Sequence, residues 1–275
     1  MSVSARFLQE VRLGTALSDW RTDNHYVLER VLGVGSTSKC FLALQEGAPV
    51  ALKVTDKDSA YAKRCCRREA RVQRKCNHKN IIAYKCSFER LNYRIAVLEY
   101  GGDETLKSLC VEANPVLARK AFPQMCDALL YLKSLGYLHR DIKLDNFIVS
   151  DPEDARVKLT DFGMAMRASK TKGAAWSGTP LYAAPELVGR FDGMAHFSYA
   201  SEVYALGVCL YRMMQGHYPY MAKDIESLSI LLTSSRQPEP IEDEECADLC
   251  AGMLDKAPDR RITLEAARAC RFCEM

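Results

Sequence analysis

Ten residues in the middle of the chain constrain it more than any other stretch. Tyr137-Leu-His139-Arg140-Asp141-Ile-Lys143-Leu-Asp-Asn146 sets a carboxylate, two cations and an amide side chain within one short segment. Such a segment reads as a loop that displays chemistry, because a core element would leave these groups buried and unpaired. Fifteen residues past Asn146, directly after the apolar run Val157-Lys-Leu159, comes Asp161-Phe162-Gly163. Isolated Asp residues in loops are usually caps or turn formers. That reading does not explain His-Arg-Asp, Lys, Asn and Asp-Phe-Gly standing in register.

In this order the two motifs resemble the signature of the protein kinase family. Phosphoryl transfer needs each part: a carboxylate that takes the acceptor hydroxyl proton, and an Asn and a second carboxylate that hold Mg²⁺ on the phosphates. The resemblance implies an α+β, bilobal fold, with a small β-rich lobe carrying one main helix and a larger helical lobe. It implies Asp141 as general base, or as the group that orients the attacking hydroxyl, and Lys143 as the cation that neutralises the transferring γ-phosphoryl group. Asn146 and Asp161 would be the Mg²⁺ ligands, both hard oxygen donors as that ion demands. His139 and Phe162 would stack between the lobes, and Ile148 would floor the adenine. Lysine in His-Arg-Asp-Ile-Lys is the family's serine/threonine pattern.

The upstream parts stand where the resemblance requires them. His25 to Gly33 reads as a strand running into glycine, followed by Gly33-Val34-Gly35-Ser-Thr-Ser38-Lys-Cys40. Alone, such a glycine pair is usually a hairpin. Here it resembles the loop that covers the ATP phosphates, where backbone amides approach closely because no Cβ intervenes. Ser38 replaces the family's third glycine. Cys40 replaces its usual valine and would roof the adenine, and Ala51 joins the nucleotide-binding set. Lys53, the one charge in the strand Val50-Ala-Leu-Lys53, resembles the lysine that contacts the α- and β-phosphates. Its partner on a helix expected over Ala62 to Cys76 is Glu69, nine residues before His78-Lys-Asn80-Ile81, which resembles the family's His-Pro-Asn-Ile turn. The alternative for Glu69 is a surface charge among Arg67, Arg68 and Arg71. Gln73, one turn on, stands where the family usually has an apolar residue. It is expected to loosen the helix and leave the Lys53–Glu69 pair in need of help to close. Arg94 to Gly101 resembles the last small-lobe strand and hinge, with Leu98 beside the adenine and the backbone of Glu99 and Gly101 on its edge. The lobes then divide as 25–100 and 101–275, behind an extension over 1–24. In that extension Phe7, Leu8, Val11 and Leu13 fit a short amphipathic helix or a loose tail equally well.

Downstream, Gly178-Thr179-Pro180 to Ala184-Pro185-Glu186 matches the serine/threonine form of the activation segment. Thr179 would bond Asp141 and Lys143 and help to select a Ser or Thr hydroxyl. Arg140 resembles the arginine that often receives a loop phosphate, yet Ala175 occupies the usual phosphorylated position. Ser169, Thr171 and Ser177 are the substitutes, set against a loop that works unphosphorylated. Glu186 needs an arginine, and Arg261 in Pro258-Asp-Arg-Arg261 matches the family's late one. Glu202 stands where the family has Asp, and would accept hydrogen bonds from the catalytic-loop backbone at the head of an apolar helix over Tyr204 to Gln215. The chain stops shortly after a helix expected over Leu264 to Ala269, so neither a regulatory tail nor a second domain is expected.

Composition excludes several other classes. A charge of +3 on 38 basic and 35 acidic residues does not describe a general nucleic-acid binder. The cluster Lys63-Arg64 and Arg67-Arg68 reads as a solvated helix face. Arg6, Glu10 and Arg12 interrupt any secretory h-region, and no window approaches a membrane span. Twelve cysteines without a signal point to reduced thiols in cytosol or nucleus. Cys246-x3-Cys250 and Cys270-x2-Cys273 have the wrong regularity for zinc, so buried free thiols are expected. The expected activity is ATP- and Mg²⁺-dependent transfer to Ser and Thr hydroxyls of protein substrates, with an activating partner or an upstream kinase as further partners. Its rival is a pseudokinase scaffold, on the strength of Ser38, Gln73 and Glu202. A small-molecule kinase is disfavoured by the Gly-Thr-Pro to Ala-Pro-Glu segment, which shapes a peptide groove. Asp145, Asp103 and Glu104 point to basic peptides and Arg212 points the other way. Val157 to Met164 faintly resembles the small SH3-binding-type kinases, and a tailless domain also suits a virus-encoded kinase.

Overall fold

The sheet of the small lobe is built by register. The computed structural model describes residues 14, 16–19, 22–35, 38–171, 178–188 and 197–274. Its first six strands are β1 (Ala16–Asp19), β2 (Asn24–Val34), β3 (Ser38–Gln45), β4 (Ala48–Asp56), β5 (Tyr84–Arg90) and β6 (Tyr93–Glu99). They form one antiparallel sheet in the order β1-β2-β3-β4-β6-β5. Gly33 faces Cys40, Cys40 faces Lys53, and Lys53 faces Ala96; Ala51 faces Leu98. Because side chains alternate along a strand, opposed residues share a face. One face of the sheet therefore carries Cys40, Ala51, Lys53, Ala96 and Leu98 together. The other buries Leu17, Tyr26, Leu28, Phe41, Phe88 and Ile95. Two register shifts in β2, after Leu28 and after Val31, bend the strand ahead of the glycine turn.

β1 corrects the reading of residues 1–24 as an extension. Ala16–Asp19 is an edge strand on β2, with Leu17 fully buried and Asp19 nearly so. Four residues are too few to announce a period of two, so only the pairing across the turn at Thr22 and Asp23 reveals them. The helix-forming reading of Phe7, Leu8, Val11 and Leu13 lies outside the described residues.

Helix α1 (Ala60–Gln73) starts two residues earlier than expected, because Ser59 caps it by accepting from Ala62 N at 3.2 Å. It buries Ala62, Cys65, Cys66, Glu69, Ala70 and Gln73 at helical spacing, and leaves Lys63, Arg64 and Arg67 exposed.

The large lobe holds α2 (Leu106–Leu109), α3 (Pro115–Ser134), α4 (Pro185–Val188), α5 (Tyr199–Gln215), α6 (Ile225–Thr233), α7 (Glu244–Met253) and α8 (Leu264–Arg268). Asn114 caps α3 with Pro115 at its first position, where the missing N–H costs nothing. α5 is buried on nearly every side, opens on a Ser198/Ser201 capping box and ends on Gly216 at φ +78. Gly207 lets α7 approach α5 closely: a Cβ there would lie 2.8 Å from Met253 Cβ. The large-lobe core runs continuously through Phe122, Leu129, Leu206 and Leu210 to Phe272 and reaches across to Val72 on α1. It is separate from the small-lobe core, as a bilobal α+β fold requires.

The lobes are joined by the hinge and by contacts of the turn after α1, among others. The hinge runs through Tyr100–Asp103. Asn80, buried in the turn after α1, donates to Val157 O at 2.9 Å and to Gln124 Oε1 at 2.9 Å. Among the described residues no helix is long and apolar enough to cross a membrane. Nor does any group of three or more His, Cys, Asp or Glu residues there form a metal-binding cluster, and all twelve cysteines are unbridged.

Candidate active site

The cleft between the lobes measures about 420 Å³. Its walls include Gly33, Val34, Gly35, Cys40, Ala51, Lys53, Leu98, Glu99, Gly101, Lys143, Asn146, Ile148 and Asp161, whereas Glu69 of the sequence-derived nucleotide set lines a neighbouring cavity with Lys53, Asp141, Lys143 and Asp161. Leu32 and Ile82 also line the cleft and escaped the sequence reading. Both were findable. Leu32 is the strand residue before the first glycine, and Ile82 follows the His78–Ile81 turn. Ile82 clusters with Ala51, Ala96 and Leu98, against Leu32, Cys40 and Ile148. Gly101 faces this apolar slot so closely that a Cβ would meet Ile82 Cδ1 at 2.5 Å. Glu99 N donates to Ala83 O at 2.9 Å, which leaves the hinge edge to the Glu99 carbonyl and the Gly101 backbone.

At the inner end of the cleft, Lys53 Nζ lies 2.7 Å from Glu69 Oε1 and 2.9 Å from Asp161 Oδ1. Burial alone would lower the Lys53 ammonium, but Asp161 and Glu69 outweigh it and hold the charge firmly in place. Lys53 in turn keeps the Asp161 carboxyl well below the ordinary carboxylate range. The expectation that Gln73 leaves this pair open is corrected. Gln73 is fully buried, and its Nε2 donates to Ile82 O at 2.7 Å, which pins α1 to the strand-side backbone instead of releasing it. Its Oε1 is buried without a partner.

Across the cleft, Asp141 is held by three neighbours. Thr179 Oγ1 donates to its Oδ1 at 3.1 Å, and Lys143 Nζ lies 2.8 Å from its Oδ2. Asn146 Nδ2 donates to the Asp141 carbonyl at 2.7 Å and to Oδ2 at 3.2 Å. Lys143 also donates to Thr179 Oγ1 at 3.1 Å, which closes the network. Asn146 thus spends its amide N–H groups on Asp141 and keeps its carbonyl oxygen for something else. Asp161 has one oxygen on Lys53, and its side chain is about half exposed to the cleft. Two hard oxygen donors lining one cavity, with Asn146 bonded through its backbone to the residue before Asp161 at 2.9 Å, suit a hydrated Mg²⁺.

Buried groups brace the loop from behind. Arg140 adopts φ +70, which aims successive N–H groups the same way, as in an anion-binding nest. Both the His139 and the Arg140 N–H donate to Glu202 Oε1, the latter at 2.8 Å. Glu202 therefore reaches the loop despite being one methylene longer than the family's Asp. His139 packs edge-on against Phe162 with centroids 5.0 Å apart, and its Nε2 lies 3.0 Å from Thr160 O. Burial pushes that imidazole below its ordinary value. Gly178, at φ +132, crosses so near the loop that a Cβ would sit 3.2 Å from Arg140 O. Arg261 grips Glu186 with two bonds of 2.8 and 2.9 Å, which anchors the activation segment.

Several regulatory and specificity expectations change. Thr171 is buried and donates to Ala168 O at 3.0 Å, so it is a poor phosphate acceptor, whereas Ser169 is exposed. Ala175 and Ser177 lie outside the described residues. The guanidinium of Arg140 stacks on Phe197 at 4.0 Å. The carboxylates offered for basic peptides are already engaged: Asp145 by Lys107 at 2.7 Å, Asp103 by Arg30 and Tyr100, and Glu104 by Ser108. Arg212 stacks on Tyr218 and reaches Tyr182 OH at 3.5 Å.

Comparison with known proteins bears on the same geometry. A family model described as the protein kinase domain matches residues 26–273. The chain is 30% identical over 251 residues to NUAK family SNF1-like kinase 1 of Homo sapiens, covering 88% of this chain and 37% of that protein. It is 28% identical over 284 residues to the probable cell cycle serine/threonine-protein kinase CDC5 homolog of Encephalitozoon cuniculi, covering 99% and 59% respectively. It is 31% identical over 255 residues to calcium/calmodulin-dependent protein kinase type 1B of Rattus norvegicus, covering 88% and 73%. The chain thus spans from 37% to 73% of the length of these relatives. A family model that runs through nearly every described element, with glycine-loop and catalytic-loop residues lining one cleft, establishes that this chain belongs to the protein kinase family, in its serine/threonine branch.

Proposed function

We propose that this chain is an ATP- and Mg²⁺-dependent protein kinase that phosphorylates Ser and Thr hydroxyls of protein substrates. One observation carries the reading: the Asp141–Lys143–Thr179–Asn146 network and the Glu69–Lys53–Asp161 relay meet, with Lys53, Glu69, Asp141, Lys143 and Asp161 lining one cavity. The apolar slot of Leu32, Cys40, Ala51, Ile82, Leu98 and Ile148 takes the adenine, and Gly33 to Gly35 lie over the phosphates. Lys53, charged and fixed by Glu69, orients the α- and β-phosphates. Asp141 accepts the proton of the acceptor hydroxyl as its oxygen bonds the γ-phosphorus, the bond from that phosphorus to the β–γ bridging oxygen breaks and ADP leaves, and Lys143 offsets the charge that builds on the transferring group. Thr179 keeps the Asp141 carboxylate turned toward the acceptor, and the same hydroxyl marks where a serine or threonine enters. Asn146 and Asp161 are the residues that hold Mg²⁺, which when bound neutralises phosphate charge during transfer. The twelve unbridged cysteines support a reducing, cytosolic or nuclear setting.

The test is transfer itself. Purified protein is incubated with Mg²⁺, labelled ATP and a mixed Ser/Thr/Tyr peptide library, beside Asp141→Asn and Lys53→Met. Phosphoserine or phosphothreonine that disappears in both variants supports the enzyme. Nucleotide binding without transfer in the wild-type chain would favour the scaffold reading instead.

A further inference from the structure

The geometry points to a second chemical site, remote from the cleft: a thiol oxidation site at the end of the helical lobe, where a hydroperoxide oxidises Cys273 and Cys270 resolves the product as a disulfide. The proposal is independent of the phosphoryl-transfer reading.

Three sulfurs meet there. Cys270 precedes the 3₁₀ turn Arg271–Cys273, and Cys273 N donates to Cys270 O at 3.0 Å, which closes the turn. A turn closed in this way brings the two Cα atoms within bridging range. Cys270 Sγ already lies 3.8 Å from Cys273 Sγ, and both thiols point at Ala267 O, at 3.1 and 3.5 Å. The third sulfur is Cys126, fully buried on α3, whose S–H donates to Cys273. Arg268, paired with Asp127 at 2.7 Å, adds positive potential.

These neighbours treat the two thiols of the turn differently. The hydrogen bond from Cys126, then that from Cys270 and the Arg268 charge, outweigh burial and bring the Cys273 thiol down to about 7. Burial pushes Cys270 up to about 11, so it keeps its proton. The nucleophile is thus Cys273 and the resolving thiol is Cys270. Cys270 is half-buried and lines a surface groove of about 430 Å³ with Asp248, Leu249, Arg271 and Phe272, and Cys273 is buried behind it with its sulfur 3.8 Å from that of Cys270.

The chemistry balances. The Cys273 thiolate attacks one peroxide oxygen, the O–O bond breaks, and the alcohol (water, for hydrogen peroxide) leaves with a proton. Cys273 is now a sulfenic acid. The Cys270 sulfur attacks it, the S–O bond breaks, and the hydroxyl leaves as water with the Cys270 proton. Two thiols and one hydroperoxide become one disulfide, one water and one alcohol. Cys246 and Cys250 supply an internal contrast. Their sulfurs lie 4.0 Å apart, but both are deeply buried on consecutive turns of α7, and Cys250 is held far up by its hydrogen bond with Cys246 and by burial.

The experiment treats the full chain with graded hydrogen peroxide at neutral pH, blocks remaining thiols with N-ethylmaleimide, and quantifies each cysteine by peptide mass spectrometry. Cys270 and Cys273 are expected to lose alkylation together, as a species lighter by two hydrogens. The dose should be roughly three- to tenfold below that needed for half-exposed Cys86, from the lowered Cys273 thiol less the lower nucleophilicity that comes with acidity. In Cys270→Ser, dimedone should trap a sulfenic acid on Cys273. Without any substitution, the alkylation rate of Cys273 should reach half-maximum near pH 7. Oxidation of Cys270 and Cys273 no earlier than Cys86, disulfide formation at Cys246–Cys250 first, or an alkylation midpoint above about 8.5 would each overturn the proposal.

Discussion

Glu202 should make the stability of this fold depend on pH. Its side chain is buried against the catalytic loop and accepts from the N–H groups of His139 and Arg140. Burial pushes its carboxyl up from the ordinary 4.5 to about 7, and the two donors with the Arg140 charge pull it only part of the way back. A carboxyl raised in this way binds its proton more tightly in the folded chain than in the unfolded one. Its stabilising contribution is complete below the unfolded value and is lost as pH rises through the folded value. The whole difference is about 3 kcal/mol, of which about 2.5 kcal/mol falls between pH 5 and pH 8. Glu202→Gln keeps an oxygen for both N–H groups but cannot titrate. Urea unfolding of both chains across this range should therefore show the wild-type stability falling, relative to the variant, by that amount toward high pH. Parallel profiles would refute the reasoning, since they would mean that the buried carboxylate ionises at no net cost.

Arg261→Ala strands Glu186 and three backbone carbonyls that Arg261 now satisfies, at Ala200, Asp255 and Lys256, and should cost about 3–5 kcal/mol in urea unfolding. Gly101→Ala forces a Cβ against Ile82 in the adenine slot, so KM for ATP should rise by about tenfold with little change in kcat, as expected for roughly 1–2 kcal/mol of lost ground-state binding. Gln73→Leu removes the bond to Ile82 O but also the unpartnered Oε1, so stability should move by less than about 1 kcal/mol and transfer activity should persist. Loss of activity in that variant, with folding intact, would show that the Gln73–Ile82 bond is what holds Glu69 against Lys53.

The chemistry of this chain was legible in its sequence because phosphate handling needs particular functional groups at fixed separations along a short loop. His139 to Asn146 and Asp161 to Gly163 carry the resemblance that assigns these residues their expected roles, and β4 with Lys53 could be read as a strand holding one charge among apolar neighbours. Turn chemistry and helix caps are local for the same reason. What tertiary structure decided was every property that depends on who stands opposite. Gln73 looked like a defect until Ile82 O proved to be its partner, and Glu202 looked a methylene too long until the loop N–H groups turned to meet it. Asp145, Asp103 and Glu104 suggested a basic substrate until Lys107, Arg30 and Ser108 were found already on them. β1 was invisible because four residues carry no period, and the three sulfurs around Cys273 were scattered over positions 126 to 273. Hydrogen bonds, charge pairs and thiol acidities act over a few ångströms of space, and sequence separation does not encode that distance.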